Sequence, residues 1–292
     1  MIKIELKYIA NQEDDNTTIK HILRDRLKIS SRLLNKLKMN EKILVNDIPV
    51  FSNYIVHYND KITVKIDFEE TDYIKAEEMN LEIIYEDEYF LAINKEAGIV
   101  VHPSSNHLSG TLANGVKFYL NNNKKIRAIN RLDRDTSGIV LFAKNEYIQE
   151  LMITDTQITK EYLAIVEGIL DNKKGTIDKP IARKNGSIME RCVAEEGQKA
   201  ITHYEVIKES KTNLSVVKLN LETGRTHQIR VHLAYSNAPI LGDSLYGKTS
   251  ELINRQALHA YKMEFIHPIT GENICILASI PDDMKKIIDY LE

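Results

Sequence analysis

Two polar segments concentrate the side chains that could act on a substrate. The first is Asn130-Arg131-Leu132-Asp133-Arg134-Asp135-Thr136-Ser137-Gly138, which runs straight into the apolar stretch Ile139 to Phe142. Catalytic groups tend to lie on loops that a rigid strand holds at its edge, and Asp133 is so placed. On composition alone the same segment also reads as a Thr-Ser-Gly turn whose carboxylates cap backbone amides. The second segment is Leu221-Glu-Thr-Gly-Arg225-Thr-His227-Gln-Ile-Arg230-Val-His232-Leu233, with two arginines, two histidines, a glutamine and a threonine within eight residues. A glycine turn followed by convergent cations suits an anion, either a phosphate or the carboxylate of Asp133. No carboxylate or cysteine stands at ligand spacing among them, so no metal site is expected.

A third segment, Gly242-Asp-Ser-Leu-Tyr-Gly-Lys248-Thr249, satisfies the P-loop pattern. The strand before it would be Ile240-Leu241 alone, directly after Pro239, and only 43 residues follow Thr249. That is too little chain for the rest of a nucleotide-binding sheet, and the match is read as accidental.

These groups need elements to hold them. Strand-like stretches dominate from residue 81 onward: Leu81 to Tyr85, Tyr89 to Asn94, Ile139 to Ala143, Tyr162 to Glu167, Ile201 to Ile207 and Leu214 to Asn220. Leu112 to Leu120 and Glu146 to Leu151 are the best helical stretches. Strands that mostly follow strands predict an α+β domain on a mixed, largely antiparallel sheet. Before it, the apolar residues Ile19, Ile22, Leu23 and Leu27, then Leu33, Leu34 and Leu37, recur at helical spacing, with Ser30-Ser31 as break and cap. Lys42 to Val45, an Asn46-Asp47 turn and Ile48 to Phe51 predict a hairpin, and Ile62, Val64 and Ile66 a further strand. The domain expectation is therefore residues 1–66, an acidic linker over 67–80, and a large domain over 81–292.

Composition narrows the class. The chain has 292 residues, 43% of them hydrophobic and 28% charged, enough for two cored domains and against wholesale disorder. No apolar run reaches membrane-spanning length, and the start lacks a signal-peptide stretch. Two cysteines far apart argue against a disulfide scaffold and fit a reducing, cytoplasmic setting. Net charge is −3, yet residues 20–42 carry a net +6 and residues 67–88 a net −9. A basic patch can hold phosphates whatever the total charge, since screening confines each interaction to about 10 Å. Arg24, Lys28, Arg32 and Lys36 are the candidate phosphate contacts there, although a solvated helix face explains a charge run equally simply.

The two basic helices with their hairpin, including Val-Asn-Asp at 45–47 and Asn-Asp-Lys-Ile at 59–62, resemble the α-L RNA-binding domain of ribosomal proteins and tyrosyl-tRNA synthetases. Asn-Arg-Leu-Asp-x-x-Thr-Ser-Gly is similar to the signature of RluA-type (RluC/RluD-like) RNA pseudouridine synthases. Four further segments follow in family order: Leu81 to Pro103, Lys160-Glu-Tyr162 to Gly168, Gly224 to Ala234 running on to Pro239–Gly247, and Leu258-His-Ala with His267-Pro268. Asn130 stands where the family has His, and Glu96 where it has Pro.

The resemblance implies an isomerase that needs neither cofactor nor metal, with Asp133 as the essential carboxylate, Arg230 as its partner and Tyr162 as the active-site tyrosine. It implies that Arg131 holds the flipped nucleotide or fills its vacated place. Asp135 falls at a variable position and is read as a loop carboxylate; Lys95, His102, Arg134 and Arg225 are further candidate phosphate contacts. Large-subunit ribosomal RNA is the expected substrate and a monomer the expected state. Transfer RNA, or a ribosome-assembly role with dispensable catalysis, are the alternatives.

Overall fold

The computed structural model describes residues 4–68, 73–104, 107–121 and 125–291. At its start lies a four-stranded antiparallel sheet with two helices. β1 (Ile4–Ile9) is followed by α1 (Ile19–Asp25), α2 (Ser31–Met39), β2 (Ile43–Val45), β3 (Ile48–Pro49) and β4 (Lys61–Ile66), and the strand order is β1-β4-β2-β3. Ser30 caps α2 by accepting from Leu33 N–H at 3.2 Å, as its position in the helical pattern predicts. Asn46 and Asp47 both have positive φ, the geometry of a tight hairpin turn, so Asp substitutes for the usual glycine without breaking it. β1 has no counterpart among the sequence expectations, although its alternation of apolar and charged residues is a strand signature. Ile4, Leu6 and Tyr8 pair with Ile66, Val64 and Ile62.

The second sheet starts with β5 (Ile83–Glu86) and β6 (Phe90–Lys95), then α3 (Leu112–Tyr119), β7 (Arg127–Ala128), β8 (Ser137–Ala143), α4 (Glu146–Thr154) and β9 (Thr159–Glu167). It continues through β10 (Lys174–Asp178), β13 (Ile201–Glu209) and β14 (Leu214–Leu221), while β11 (Ile181–Arg183) and β12 (Arg191–Val193), between β10 and β13 in the chain, form a separate two-stranded sheet. α5 (Gln228–Tyr235), β15 (Leu258–Ile266), β16 (Asn273–Leu277) and α6 (Asp282–Tyr290) complete it. The strand order is β10-β13-β14-β9-β15-β8-β6-β5, with β16 on β15 and β7 on β8. Neighbours are antiparallel except β8 and β15, which run parallel through Ser137↔His259 and Gly138↔Ala260. The fold is thus the expected α+β architecture on a largely antiparallel sheet. Residues 248–257 form no helix and only an isolated bridge precedes Leu241, so the P-loop match lacks both flanking elements.

Two details place the site. Gly138 has φ +112°, and a Cβ there would lie 2.2 Å from the Ala260 carbonyl oxygen, so only glycine lets the signature loop enter β8 against β15. The first apolar cluster is shared between the sheets: Leu23, Leu34 and Leu37 pack in one body with Phe90, Ile139, Tyr147 and Leu151. Tyr147 Oη donates to the Leu27 carbonyl at 2.9 Å across that seam. The predicted linker is partly packed too, with Ile74 and Met79 against the cluster under α3, while residues 69–72 lie outside the described residues. Among the described residues no helix is long and apolar enough to cross a membrane.

Candidate active site

The loop between β7 and β8 carries Asp133. Asn130 extends the sheet with its side chain, donating to the Ile139 carbonyl at 2.9 Å and accepting from Leu141 N–H at 2.8 Å. That pairing keeps the loop start rigid even though the family residue at this position is His. Thr136 N–H closes a turn onto the Asp133 carbonyl at 3.2 Å. Behind the loop lies Lys95, only 1% exposed, whose Nζ donates to the carbonyls of Glu96 and Arg134 at 2.8 Å each. Burial pulls its pKa down to about 7 against the charges of Asp135 and Asp133. Lys95 therefore supports the loop from inside, and the expectation that it touches phosphate is corrected. Asp135 is held by Arg134 through two hydrogen bonds of 2.9 and 3.0 Å, the loop role read for it.

Opposite Asp133 stands α5. Its sequence Ile-Arg-Val-His-Leu alternates apolar and polar residues like a strand, and no helix is foreseen there. Gln228 to Leu233 are all buried, so the helix has no solvent face to write a 3.6-residue period into the sequence. Gln228 ties its start to the sheet, accepting from Arg225 N–H at 3.0 Å and donating to the Ile201 carbonyl at 2.9 Å. His232 is structural, its two ring nitrogens engaging Thr202 Oγ1 and the Lys179 carbonyl.

Arg230 projects from this helix between two carboxylates. Nε and Nη2 donate to Asp243 at 2.7 and 2.8 Å, and Nη1 donates to Asp133 Oδ2 at 3.0 Å. Burial works against its charge, but Asp243 and then Asp133 more than offset that and raise its pKa. Asp243, 1% exposed, is a site residue that the sequence reading passes over. Its signal was an acid enclosed by Ile240-Leu241-Gly242, where a buried carboxylate requires a cation.

Tyr162 lies on β9, paired with Leu219 and Ala260, and is 7% exposed. Burial, then the Asp133 charge, raises its pKa, so its hydroxyl stays protonated at neutral pH. Asp133, Tyr162, Arg230, Arg131, Arg225 and His227 line one cleft of about 70 Å³. Arg131 and Arg225 are exposed at its rim, whereas Arg24 on α1, Lys28 between the helices and Arg32 on α2 are exposed beside the other sheet. Lys36 is drawn into the seam, with Nζ 3.0 Å from Glu146 Oε2 and 4.6 Å from the centre of the Phe68 ring. That revises the expectation that it belongs to an open phosphate-binding face.

The arrangement has two halves. One carboxylate oxygen is bound by a guanidinium and the other is left to the cleft, beside a buried tyrosine and under a cationic rim. The family model described as RNA pseudouridylate synthase matches residues 89–235, and that of the RluD ribosomal pseudouridine synthase N-terminal domain matches residues 6–62. The chain is 41% identical over 291 residues to YhcT of Bacillus subtilis strain 168, an uncharacterised RNA pseudouridine synthase, covering 97% of this chain and 96% of that one. It is 37% identical over 275 residues to ribosomal large subunit pseudouridine synthase D of Vibrio cholerae, covering 87% and 84% of the two chains. Human RNA pseudouridylate synthase domain containing 1 shares the fold at a TM-score of 0.57 and 23% identity, over 76% of this chain and 97% of that one. The chain belongs to the RNA pseudouridine synthase family, isomerases that act on uridines in RNA.

Proposed function

We propose that the enzyme isomerises specific uridines of large-subunit ribosomal RNA, with Asp133 as the reacting carboxylate. The observation that carries this is the asymmetric setting of Asp133: Oδ2 is held by Arg230, itself clamped by Asp243, while Oδ1 lies 3.8 Å from His227 Nε2, and Asp133 and Tyr162 line the same cleft. The reaction breaks the ribose C1′–N1 bond, joins C1′ to C5, removes the C5 proton and puts a proton on N1. An oriented carboxylate serves either attack at C1′ or removal of a sugar proton. The Tyr162 ring supports the uracil, and its hydroxyl helps remove the C5 proton, passing its own hydrogen to water as it takes that one. Arg131, exposed beside Asp133, holds the extruded nucleotide, whose unstacking costs a few kcal/mol.

Ribosomal RNA is favoured because chains named for that substrate align with most of this one, at 35–37% identity. In this reading residues 1–66 dock RNA through Arg24, Lys28 and Arg32, residues 67–80 connect, and residues 81–292 catalyse, as a cytoplasmic monomer. Asp133→Asn keeps the side-chain size and loses the ionised oxygen. It is expected to abolish tritium release from 5-tritiated uridine in ribosomal RNA while RNA affinity is retained; appreciable turnover by this variant would overturn the assignment.

A further inference from the structure

Asp243 organises a second route to Asp133. Its Oδ1 also accepts from the backbone N–H groups of Leu245 and Tyr246, at 3.0 and 3.2 Å. The Tyr246 ring lies 5.0 Å from the Arg230 guanidinium and meets the His227 ring edge-on at 5.6 Å. Tyr246 Oη accepts from Arg191 N–H at 2.8 Å and lies 2.8 Å from His227 Nδ1. His227 Nε2 then sits 3.8 Å from Asp133 Oδ1, the oxygen Arg230 leaves open. His227 occupies left-handed backbone, φ 57° and ψ 19°, at the start of α5, which turns its ring toward the loop rather than along the helix.

We propose that His227 is a positioning residue for the reacting oxygen: a neutral imidazole, locked by Tyr246 with its Nε2–H turned to Asp133 Oδ1, that sets the carboxylate rotamer from the side opposite Arg230. This rests on Asp133 being the reacting group. The tautomer is part of the proposal and rests on hydrogen-bond supply. Tyr246 Oη spends a lone pair on Arg191 N–H and gives its own hydrogen to Nδ1, which leaves the imidazole hydrogen on Nε2. The charged and titratable groups around the ring are Asp133, Arg230, Arg191, Asp243 and Tyr246, with Arg225 and Tyr162 across the cleft. Burial lowers the His227 pKa, Asp133 and Asp243 oppose that, and Arg230 and Arg191 reinforce it, so the ring is neutral at neutral pH. At 3.8 Å the donor guides Oδ1 without occupying it. Protonation changes that: Nδ1 gains a hydrogen that displaces the one from Tyr246, and the imidazolium pairs with Oδ1 and blocks it.

The test is saturating and single-turnover kinetics on ribosomal RNA against pH for three variants of the full chain. His227→Asn suits left-handed backbone but its amide stops short of Oδ1. It is expected to lower kcat roughly 10- to 100-fold with RNA affinity unchanged. His227→Gln, long enough to return a non-titrating N–H to Oδ1, is expected to recover part of that loss and to abolish the acid limb attributed to His227. Tyr246→Phe keeps the ring on Arg230 and frees the imidazole, and a smaller fall in kcat is expected. Wild-type kcat in His227→Asn, or an unchanged acid limb in His227→Gln, overturns the proposal. Should one His227 variant fail to fold, the other and Tyr246→Phe still decide it. Turnover by Asp133→Asn in the same assay would overturn the site assignment instead, so the two failures are distinct.

Discussion

Asp133 reacts, in this reading, because its surroundings divide its two oxygens, and the division is made by partners that are themselves held. Arg230 donates to Asp243 with two nitrogens and to Asp133 with a third, a geometry a lysine could not supply. Lys95 works from the other side of the loop. Its two carbonyl acceptors match the two N–H groups of a neutral amine, so the hydrogen bonds survive deprotonation. An unfolded lysine holds its proton up to about pH 10.5, and folded Lys95 releases it near 7. Between those values the unfolded state binds more protons, so the contribution of this group to stability rises with pH, by at most about 1.4 kcal/mol per unit, and is flat below 7. Lys95→Met removes that slope and leaves two carbonyls unpaired, a cost of about 1–3 kcal/mol at each. Denaturant titrations at about pH 6.5 and 8.5 should therefore find the deficit of the variant larger at the higher pH. A deficit independent of pH would mean that the lysine stays charged in the fold.

Among the elements, β8 and α5 do most to build the site, and each depends on a local exception. β8 joins β15 in parallel at Gly138, where an added Cβ would strike the Ala260 carbonyl and φ is strained for any L side chain. Gly138→Ala is expected to cost about 3 kcal/mol or more, from the clash and the backbone strain together. Thermal unfolding measures this directly, and the surviving folded fraction should have lost turnover because the Asp133 loop is displaced. A variant with wild-type melting temperature would show that the strand shifts to accept the methyl. α5 carries Arg230 and is preceded by His227 at its cap, and its six buried residues explain why its sequence shows no amphipathic stripe. α4 serves the seam: Glu146 at its start engages Lys36 and lies 3.7 Å from Arg32 Nε, while Tyr147 and Leu151 pack into the shared cluster. Exposed ion pairs contribute about 0–1 kcal/mol, and a buried large apolar side chain about 1.5–3, so apolar packing holds the seam.

For the molecule as a whole, that seam fixes where the basic helices sit relative to the cleft. Arg24, Lys28 and Arg32 are open to solvent, and Lys36 is committed to Glu146 and Phe68. Replacing Arg24, Lys28 and Arg32 with Gln is expected to weaken RNA binding and to flatten its salt dependence, by about 0.7–0.9 log units of slope for each phosphate no longer neutralised. Turnover at saturating RNA should hold, since Asp133, Arg230 and Tyr162 are carried by the loop, helix and strand of the other sheet's domain. Lys36→Gln should change the slope less than any of the three. Unchanged affinity and slope in the triple variant would reduce the charge run to a solvated face, and a falling saturated rate would mean that this sheet shapes the cleft.

Most strands of both sheets were legible in the chain, because period-two alternation and turn residues are properties of neighbours in sequence. So were two of the groups able to do chemistry: Asp133 at a loop-strand junction and Arg230 among convergent cations stand out by type and spacing, whereas Tyr162, one of fourteen tyrosines, is marked only by the family resemblance. Who meets whom is not a local property: the pairing of Arg230 with Asp133 across 97 residues was expected from the family resemblance, and it depends on β9, β15 and β8 lying side by side. The same packing encloses Asp243 and Lys95, turns His227 toward Oδ1 and withdraws Lys36 from the basic face. Burial, charge pairing and hydrogen-bond supply belong to the folded surroundings of a residue rather than to its type, so roles that depend on them emerge only once the sheets have packed.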